Sequence, residues 1–348
     1  MHYSDLVGLR FGKAADTYDS SAFTHVEIAR HLLSMIQRHI DNDKQASSAL
    51  QAHHAYLSTC SEALSHVQHA LDVGAGTGIL SEELLKAFPN VDLTLMDISS
   101  EMLARAEKKY HGRVSYIKAN AEDFPIRGFD ILVSSMAMQW FRDIEAFIAE
   151  NIKHTRTIAF AIPILGTFDE WYDWLEARGI ESHRMPYKSF DQMMSLCNLA
   201  NHFIAEERTY PLTFKSALDF VKYLKLIGAS ACHTGVYSYK ESASILQALH
   251  ACHAAKLLHN EMFFARHLCR SARKNADTRV VAQNRSVLDV HEDSLERNIA
   301  CAANTEANCK KEPLCSSLAT GAESGSNVTL ATSYRIFFGV LSVNRDRP

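Results

Sequence analysis

Between residues 70 and 163 short β-branched runs alternate with helical patterns: "ALDV", "ILSEELLKAF", "VDLTLMD", "SEMLARAEKKY", "VSYIKA", "FDILVSS" and "TIAFAIP". Strands that alternate with amphipathic helices connect as right-handed βαβ units, so this region predicts an α/β fold with a doubly wound, mostly parallel sheet. Such a sheet binds ligands outside the carboxyl ends of its strands, which says where a site should lie. The sheet does not begin at the N-terminus. In residues 22–40 the positions Phe23, Val26, Ile28, Ala29, Leu32, Leu33 and Ile36 follow a three/four period, which predicts an amphipathic helix ahead of it. After residue 163 come the aromatic-rich "FDEWYDWLEARG", a strand-like "TYPLTF" at 209–214 and a helical "SALDFVKYLKLIGA" at 216–229. No Gly/Ser/Pro-rich linker separates them from the sheet, so they are expected to extend the same domain.

The character changes at 271–330, where only 11 of 60 residues are Leu, Ile or Val and none is Met, Phe, Trp or Tyr. That composition offers too little burial to offset ordering entropy, and the stretch is expected to be a largely disordered insertion. It is followed by "TSYRIFFGVLSV", positions 332–343, which reads as one good strand. The formal net charge of −4 gives no global basic field, so nucleic acid is not expected as a partner. The beginning lacks the apolar core of a signal peptide, and no run of ~20 apolar residues could span a bilayer. The expectation is a cytoplasmic protein without a membrane partner. Its eight cysteines lack CxxC or zinc-finger spacing, and no metal site is expected, although Cys301, Cys309 and Cys315 cluster loosely.

The run "ALDVGAGTGILSEELL" places Gly74, Gly76 and Gly78 between a strand and a helix. Glycines let the backbone turn sharply and approach a ligand, and the following helix offers unpaired N–H groups. An ordinary βα turn rarely needs three alternating glycines. A P-loop would need Gly-Lys-Ser/Thr, which is absent, and in a dinucleotide fingerprint the third glycine would come one residue later.

The pattern D-x-G-x-G-x-G, beginning at Asp72, resembles motif I of the class I S-adenosylmethionine (SAM) methyltransferases. The resemblance implies a seven-stranded sheet closed by an antiparallel C-terminal strand, with "TYPLTF" as its partner. Asp97, nineteen residues after Gly78, would accept the ribose hydroxyls; it could equally cap the next helix. "KANAEDFP" is similar to the adenine-binding segment, with Asn120 where an acid is usual; an amide oxygen can still accept from the adenine amino group. The cofactor set implied is Asp72, Gly74, Gly76, Gly78, Asp97, Ile98, Met102, Asn120, Ala121 and Ser135. Asp130, near the start of the next strand, reads as structural, and Met138 as core.

A narrower resemblance rests on "FGKAADTYDSSAFTHVEIARHLL", "SSMAMQW", "YPLTFKSALDFVKYLKLIGASACHTG" and "TSYRIFFGVL". Together these resemble the BioC family, the malonyl-acyl-carrier-protein O-methyltransferases of biotin synthesis, over residues 10–250 and 332–342. The chain departs from that pattern in Asn120, in "IKHTRT" where a Pro-Gly-Gly turn is usual, and in a longer segment at 41–69. The division implied is an N-terminal lid and helix in 1–40, a methyltransferase domain in 70–250 with 332–343, and the polar insertion 271–330.

Membership would imply transfer of the SAM methyl group to the free carboxylate of a malonyl thioester, on acyl carrier protein or CoA. On the substrate side the resemblance points to Tyr18, Gln139, Trp140 and Arg184 as catalytic candidates. Tyr18 could instead be an aromatic packed on the first helix, Trp140 a wall, and Arg184 an exposed arginine. Two other expectations stay open: a methyltransferase for another small molecule, since fold does not decide substrate, and a SAM-binding protein similar to complex I assembly factors that acts on a partner protein.

Overall fold

The parallel strands are short and almost wholly buried, as strands covered on both faces must be. β1 (His69–Val73), β2 (Asp92–Asp97), β4 (Ile131–Ser135) and β5 (Thr157–Pro163) each expose at most their first or last residues. With β3 (Ser115–Lys118), β6 (His202–Phe214), β7 (Val280–Asn284) and β8 (Leu330–Ser342) they form one sheet in the order β3-β2-β1-β4-β5-β8-β6-β7. This computed structural model describes residues 2–52, 67–177, 179, 184–229, 280–284 and 330–343. All belong to one unit, Met1–Asn284 with Thr329–Pro348.

β1 to β5 run parallel, whereas β8 lies antiparallel to both β5 and β6 and fills the place between them. Its register pairs Leu330 with Phe214 at one end and Ser342 with His202 at the other, so "TYPLTF" is its partner along 209–214. This is the doubly wound, class I methyltransferase arrangement, seven strands with an antiparallel C-terminal one, extended by β7 at the β6 edge. β7 falls inside the polar stretch 271–330; apart from it and Leu330, that stretch lies outside the described residues, as do Cys301, Cys309 and Cys315.

Side chains alternate along β8 into two cores. Ile336, Phe338 and Val340 join residues of α3 (Phe23–Ala52), α4 (Ile79–Ala87), α7 (Asp169–Glu176) and α9 (Ala217–Leu226). Phe337 and Leu341 join α6 (Ile144–Asn151) and α8 (Phe190–Cys197) on the other face. In α3 the expected face is buried from Ile28 to Ile36, but Phe23 is 56% exposed, because as the helix's first residue it overhangs the end of the packed face. The helix continues to Ala52, twelve residues past the expected end.

Asp130 is structural: its Oδ2 accepts from the N–H groups of Gln68 and His69, at 2.8 and 2.9 Å, and fixes the start of β1 against β4. No helix among the described residues is long and apolar enough to cross a membrane. In this strand order β1 has β2 on one side and β4 on the other, so the chain reverses direction across the sheet there. The carboxyl ends of β1 and β4 therefore open a crevice, the place such sheets use for ligands.

Candidate active site

The loop leaving β1 is held down before it turns. The N–H groups of Gly74 and Ala75 both donate to Met96 O at the end of β2, at 2.8 and 3.0 Å. Gly74 has φ +67°, and a Cβ there would lie 2.3 Å from Ala137 Cβ, so only glycine lets the loop close on the segment after β4. At Gly76, φ +56°, a Cβ would meet nothing within 4 Å: this turn of the loop faces open space. Gly78 packs against the Tyr110 ring, whose hydroxyl donates to Gly78 O at 2.5 Å, and does not line the cleft.

The cleft above this loop is lined from the carboxyl ends of β1 and β2, the segment after β4 and the N-terminal helices. Asp97, the last residue of β2, is 9% exposed and lines it. One carboxylate oxygen accepts from Gly76 N–H and the other from Ser99 N–H, both at 2.8 Å, so Asp97 ties the glycine loop to the start of α5 (Ser100–Tyr110). The cap of α5 is Ser99, whose side chain accepts from Met102 N–H. Burial raises the Asp97 pKa, against the lowering effect of these N–H groups. Ile98, Met102, Asn120 and Ala121 continue the wall. Asn120 Nδ2 donates to Asp123 at 2.6 Å, while its Oδ1 accepts from Glu122 N–H at 3.3 Å and keeps a second lone pair.

Besides Gly78, two more expected cofactor residues stand apart from the cleft. Asp72 is 1% exposed beneath the loop and accepts from Ser81 Oγ at 2.7 Å, anchoring α4. Burial pushes its pKa up to about 7. Ser135, at the end of β4, is half-buried and also lies outside the lining.

The rest of the wall is aromatic and comes from the N-terminus. α1 (Tyr3–Ala14) contributes Ser4, Val7 and Phe11, and Tyr18 follows at the start of α2 (Tyr18–Ser21). Phe11 meets Trp140 edge-on with ring centroids 5.7 Å apart and Tyr18 at 6.3 Å. This lid is fastened at several points: Asp19 bonds Thr77 of the glycine loop, Arg105 pairs with Asp16 at 2.8 Å, and Thr17 Oγ1 donates to Leu226 O at 3.1 Å. The Tyr18 hydroxyl lies 3.0 Å from His25 Nδ1. Burial raises the Tyr18 pKa and pushes that of His25 down to about 4. Opposite, Met136 takes φ +56°, a left-handed conformation uncommon outside glycine, directly after β4. The Trp140 Nε1–H group is buried without a hydrogen-bond partner, a donor left for a ligand.

Gln139 and Arg184 do not reach this cleft. Gln139 lies on the turn Met138–Trp140, donates to Met136 O at 2.8 Å and faces a second cleft with Arg142, Tyr187 and Lys188. Arg184 is drawn to the surface of α7, where it pairs with Asp169 at 2.8 Å and Asp173 at 3.2 Å and lies over the Tyr172 ring at 4.8 Å. Both acids outcompete any distant ligand for its guanidinium. Conversely, the lining residues Val7 and Phe11 carry no signal in the sequence that marks them as site residues; a three/four spacing describes a core face as well as a lid. Among the described residues no three His, Cys, Asp or Glu side chains come together to hold a metal ion.

The sequence profile of a methyltransferase domain matches residues 70–157. The malonyl-[acyl-carrier protein] O-methyltransferase of Pectobacterium atrosepticum is 30% identical over 251 residues, covering 70% of this chain and 86% of that protein. The protein of the same name from Neorickettsia risticii is 26% identical over 238 residues, covering 68% and 86%. Among solved structures, the YcgJ protein from Bacillus subtilis resembles the chain with a TM-score of 0.43 and 12% identity, covering 81% of this chain and 94% of that one.

Proposed function

Since the chain belongs to the malonyl-[acyl-carrier protein] O-methyltransferase family, we propose that it methylates the free carboxylate of a malonyl thioester carried by acyl carrier protein, with S-adenosyl-L-methionine as methyl donor. The observation that carries this reading is the cleft itself, which joins a buried acid at the end of β2 to Tyr18 of the lid and to the unpartnered Trp140 donor on the turn after β4. The donor, when bound, supplies a sulfonium methyl group: a carboxylate oxygen takes the methyl, the carbon–sulfur bond breaks with its electron pair going to sulfur, and no proton moves.

The chain's residues therefore bind, align and exclude water. Asp97 offers its remaining lone pairs to the ribose hydroxyls, Asn120 Oδ1 accepts from the adenine amino group, and Ile98 and Met102 supply apolar walls for the base. Gly76 leaves room where its Cβ would stand. Tyr18 and Trp140 offer donors to the malonyl carboxylate, and the lid keeps the site dry so that alignment is not lost to solvent. No general base is needed, because a carboxyl with a pKa of ~4 is already ionised at neutral pH. Asp72, Gly78 and Ser135 support this arrangement from behind; Gln139 and Arg184 touch neither reactant in this reading.

The same reading places the protein in the cytoplasm, and the net charge of −4 supports leaving nucleic acid out of its partners. The test is transfer of a labelled methyl group from SAM, offered malonyl-acyl carrier protein and malonyl-CoA separately. Ester formation on the carrier-bound substrate is expected. No transfer to either, from protein that binds SAM, would remove the reading.

A further inference from the structure

Behind Tyr18, on the first turns of α3, His25 is 6% exposed and forms no part of the cleft lining. Its Nδ1 is 3.0 Å from the Tyr18 hydroxyl, and its other nitrogen, Nε2, is buried without a hydrogen-bond partner. The rings that contact it are Tyr18 from α2 and Tyr334 from β8, the latter edge-on at 5.9 Å, and Tyr334 is in turn bonded to Tyr223 of α9. All three neighbours are neutral phenols, and burial keeps the imidazole neutral above a pH of about 4.

A neutral imidazole carries one proton, on Nδ1 or on Nε2. If Nε2 held it, a buried N–H donor would face no acceptor, a rare and costly arrangement, and Nδ1 would accept a hydrogen bond from the Tyr18 hydroxyl. With the proton on Nδ1, the ring donates to the Tyr18 oxygen and Nε2 keeps only a bare lone pair, which proteins tolerate better.

We propose that His25 is a positioning residue that holds its ring proton on Nδ1, donates it to the Tyr18 oxygen, and so leaves the Tyr18 O–H pointed at the cleft as a donor to the substrate carboxylate. This rests on the malonyl reading for the identity of the acceptor. A neutral donor on an ionised oxygen makes a charge-assisted hydrogen bond, and fixing one carboxylate oxygen leaves the other to meet the methyl group. Burial keeps the phenol protonated, so it can donate without ionising. His25 would thus decide whether the Tyr18 O–H is free to donate to an anion or is turned back to donate to the imidazole.

The ring proton can be read directly, by long-range ¹H–¹⁵N correlation on ¹⁵N-labelled protein saturated with S-adenosylhomocysteine. The expected pattern for His25 is a protonated Nδ1 and an unprotonated Nε2, with Tyr18→Phe shifting the Nδ1 signal and identifying the ring. A proton on Nε2 overturns the proposal. This measurement needs no substrate, so its failure is separate from any failure of the malonyl reading. In turnover, His25→Phe is expected to cost about tenfold and His25→Asn, whose amide can still donate near the Nδ1 position, less than threefold. In a Tyr18→Phe background His25→Phe should cost nothing further; additive losses would make His25 a packing residue and overturn the proposal as well.

Discussion

Two aspartates at the carboxyl ends of adjacent strands, Asp97 last in β2 and Asp72 next to last in β1, do different work because their surroundings differ. Asp97 accepts two backbone N–H bonds and still lines the cleft, whereas Asp72 is buried under the loop with the Ser81 hydroxyl as its partner. Asp97→Asn replaces a charged acceptor by a neutral one at constant shape. Charge-assisted bonds are worth ~1.5–3 kcal/mol, so SAM affinity by calorimetry should fall roughly ten- to a hundredfold. Asp72 instead affects stability. Its folded pKa, about 7, lies well above the ordinary carboxyl value of about 4, so the folded state holds this proton when the unfolded chain has lost it. Below pH 4 the group has no effect; as pH rises from there to 7 it destabilises the fold progressively, by a few kcal/mol on the ~1.4 kcal/mol-per-unit scale. Asp72→Asn should flatten that part of the stability–pH curve in denaturant melts, and an unchanged slope would contradict the assignment. The places of Asp97, Gly74 and Gly76 at the cleft were legible in the sequence because strand ends and glycine spacing fix where the backbone must turn. The direction of Gln139 was not, since a single 3₁₀ turn after β4 decides which cleft each of its side chains faces. Arg184 was equally hidden, because its partners Asp169 and Asp173 lie 15 and 11 residues back in the sequence, on α7.

At the scale of elements, the terminal strand explains its own glycine. Gly339 pairs with Phe160 across β5 and β8, and a Cβ there would stand 2.8 Å from the Phe160 ring and 3.2 Å from that of Phe337. Both rings are fully buried and stacked on one another at 6.0 Å, with no room to retreat. Gly339→Val therefore overpacks the core and should destabilise by about 1–3 kcal/mol, read as a fall in melting temperature at unchanged SAM affinity per folded molecule. The strand facing β8 shows where element reading fails. "TYPLTF" alternates visibly from Thr209, but β6 begins at His202, and the intervening Glu206, Glu207 and Arg208 look like loop. Glu206 is 1% exposed, yet Arg208, His31 at 3.2 Å and Arg38 at 3.5 Å surround it, and Arg335 pairs with Glu207. Charges neutralised by an arginine two residues along and by Arg38 and Arg335 far away in sequence can occupy a strand that composition alone would reject.

For the whole molecule the decisive fact is that the sheet is assembled from both ends of the described chain. β8 is an interior strand, hydrogen-bonded on one side to β5 over seven residue pairs and on the other to β6 over thirteen. Without it, β6 and α9 lose the strand that joins them to β5: Tyr334 contacts His25 and Phe168 and bonds Tyr223, so the start of α3, the start of α7 and α9 meet on this one strand. Ile336, Phe337, Phe338, Val340 and Leu341 are each fully buried, and at about 1.5–3 kcal/mol apiece they match the entire net stability of an ordinary domain, ~5–15 kcal/mol. A fragment comprising residues 1–331 should therefore be unfolded by circular dichroism and unable to bind SAM. Adding a peptide of residues 332–343 in trans should restore part of both signals, since the strand brings its own register with Leu212 through His202. A soluble 1–331 fragment that binds SAM with full affinity would show that the cleft stands on β1 to β5 alone, and that the closing strand serves the lid rather than the fold.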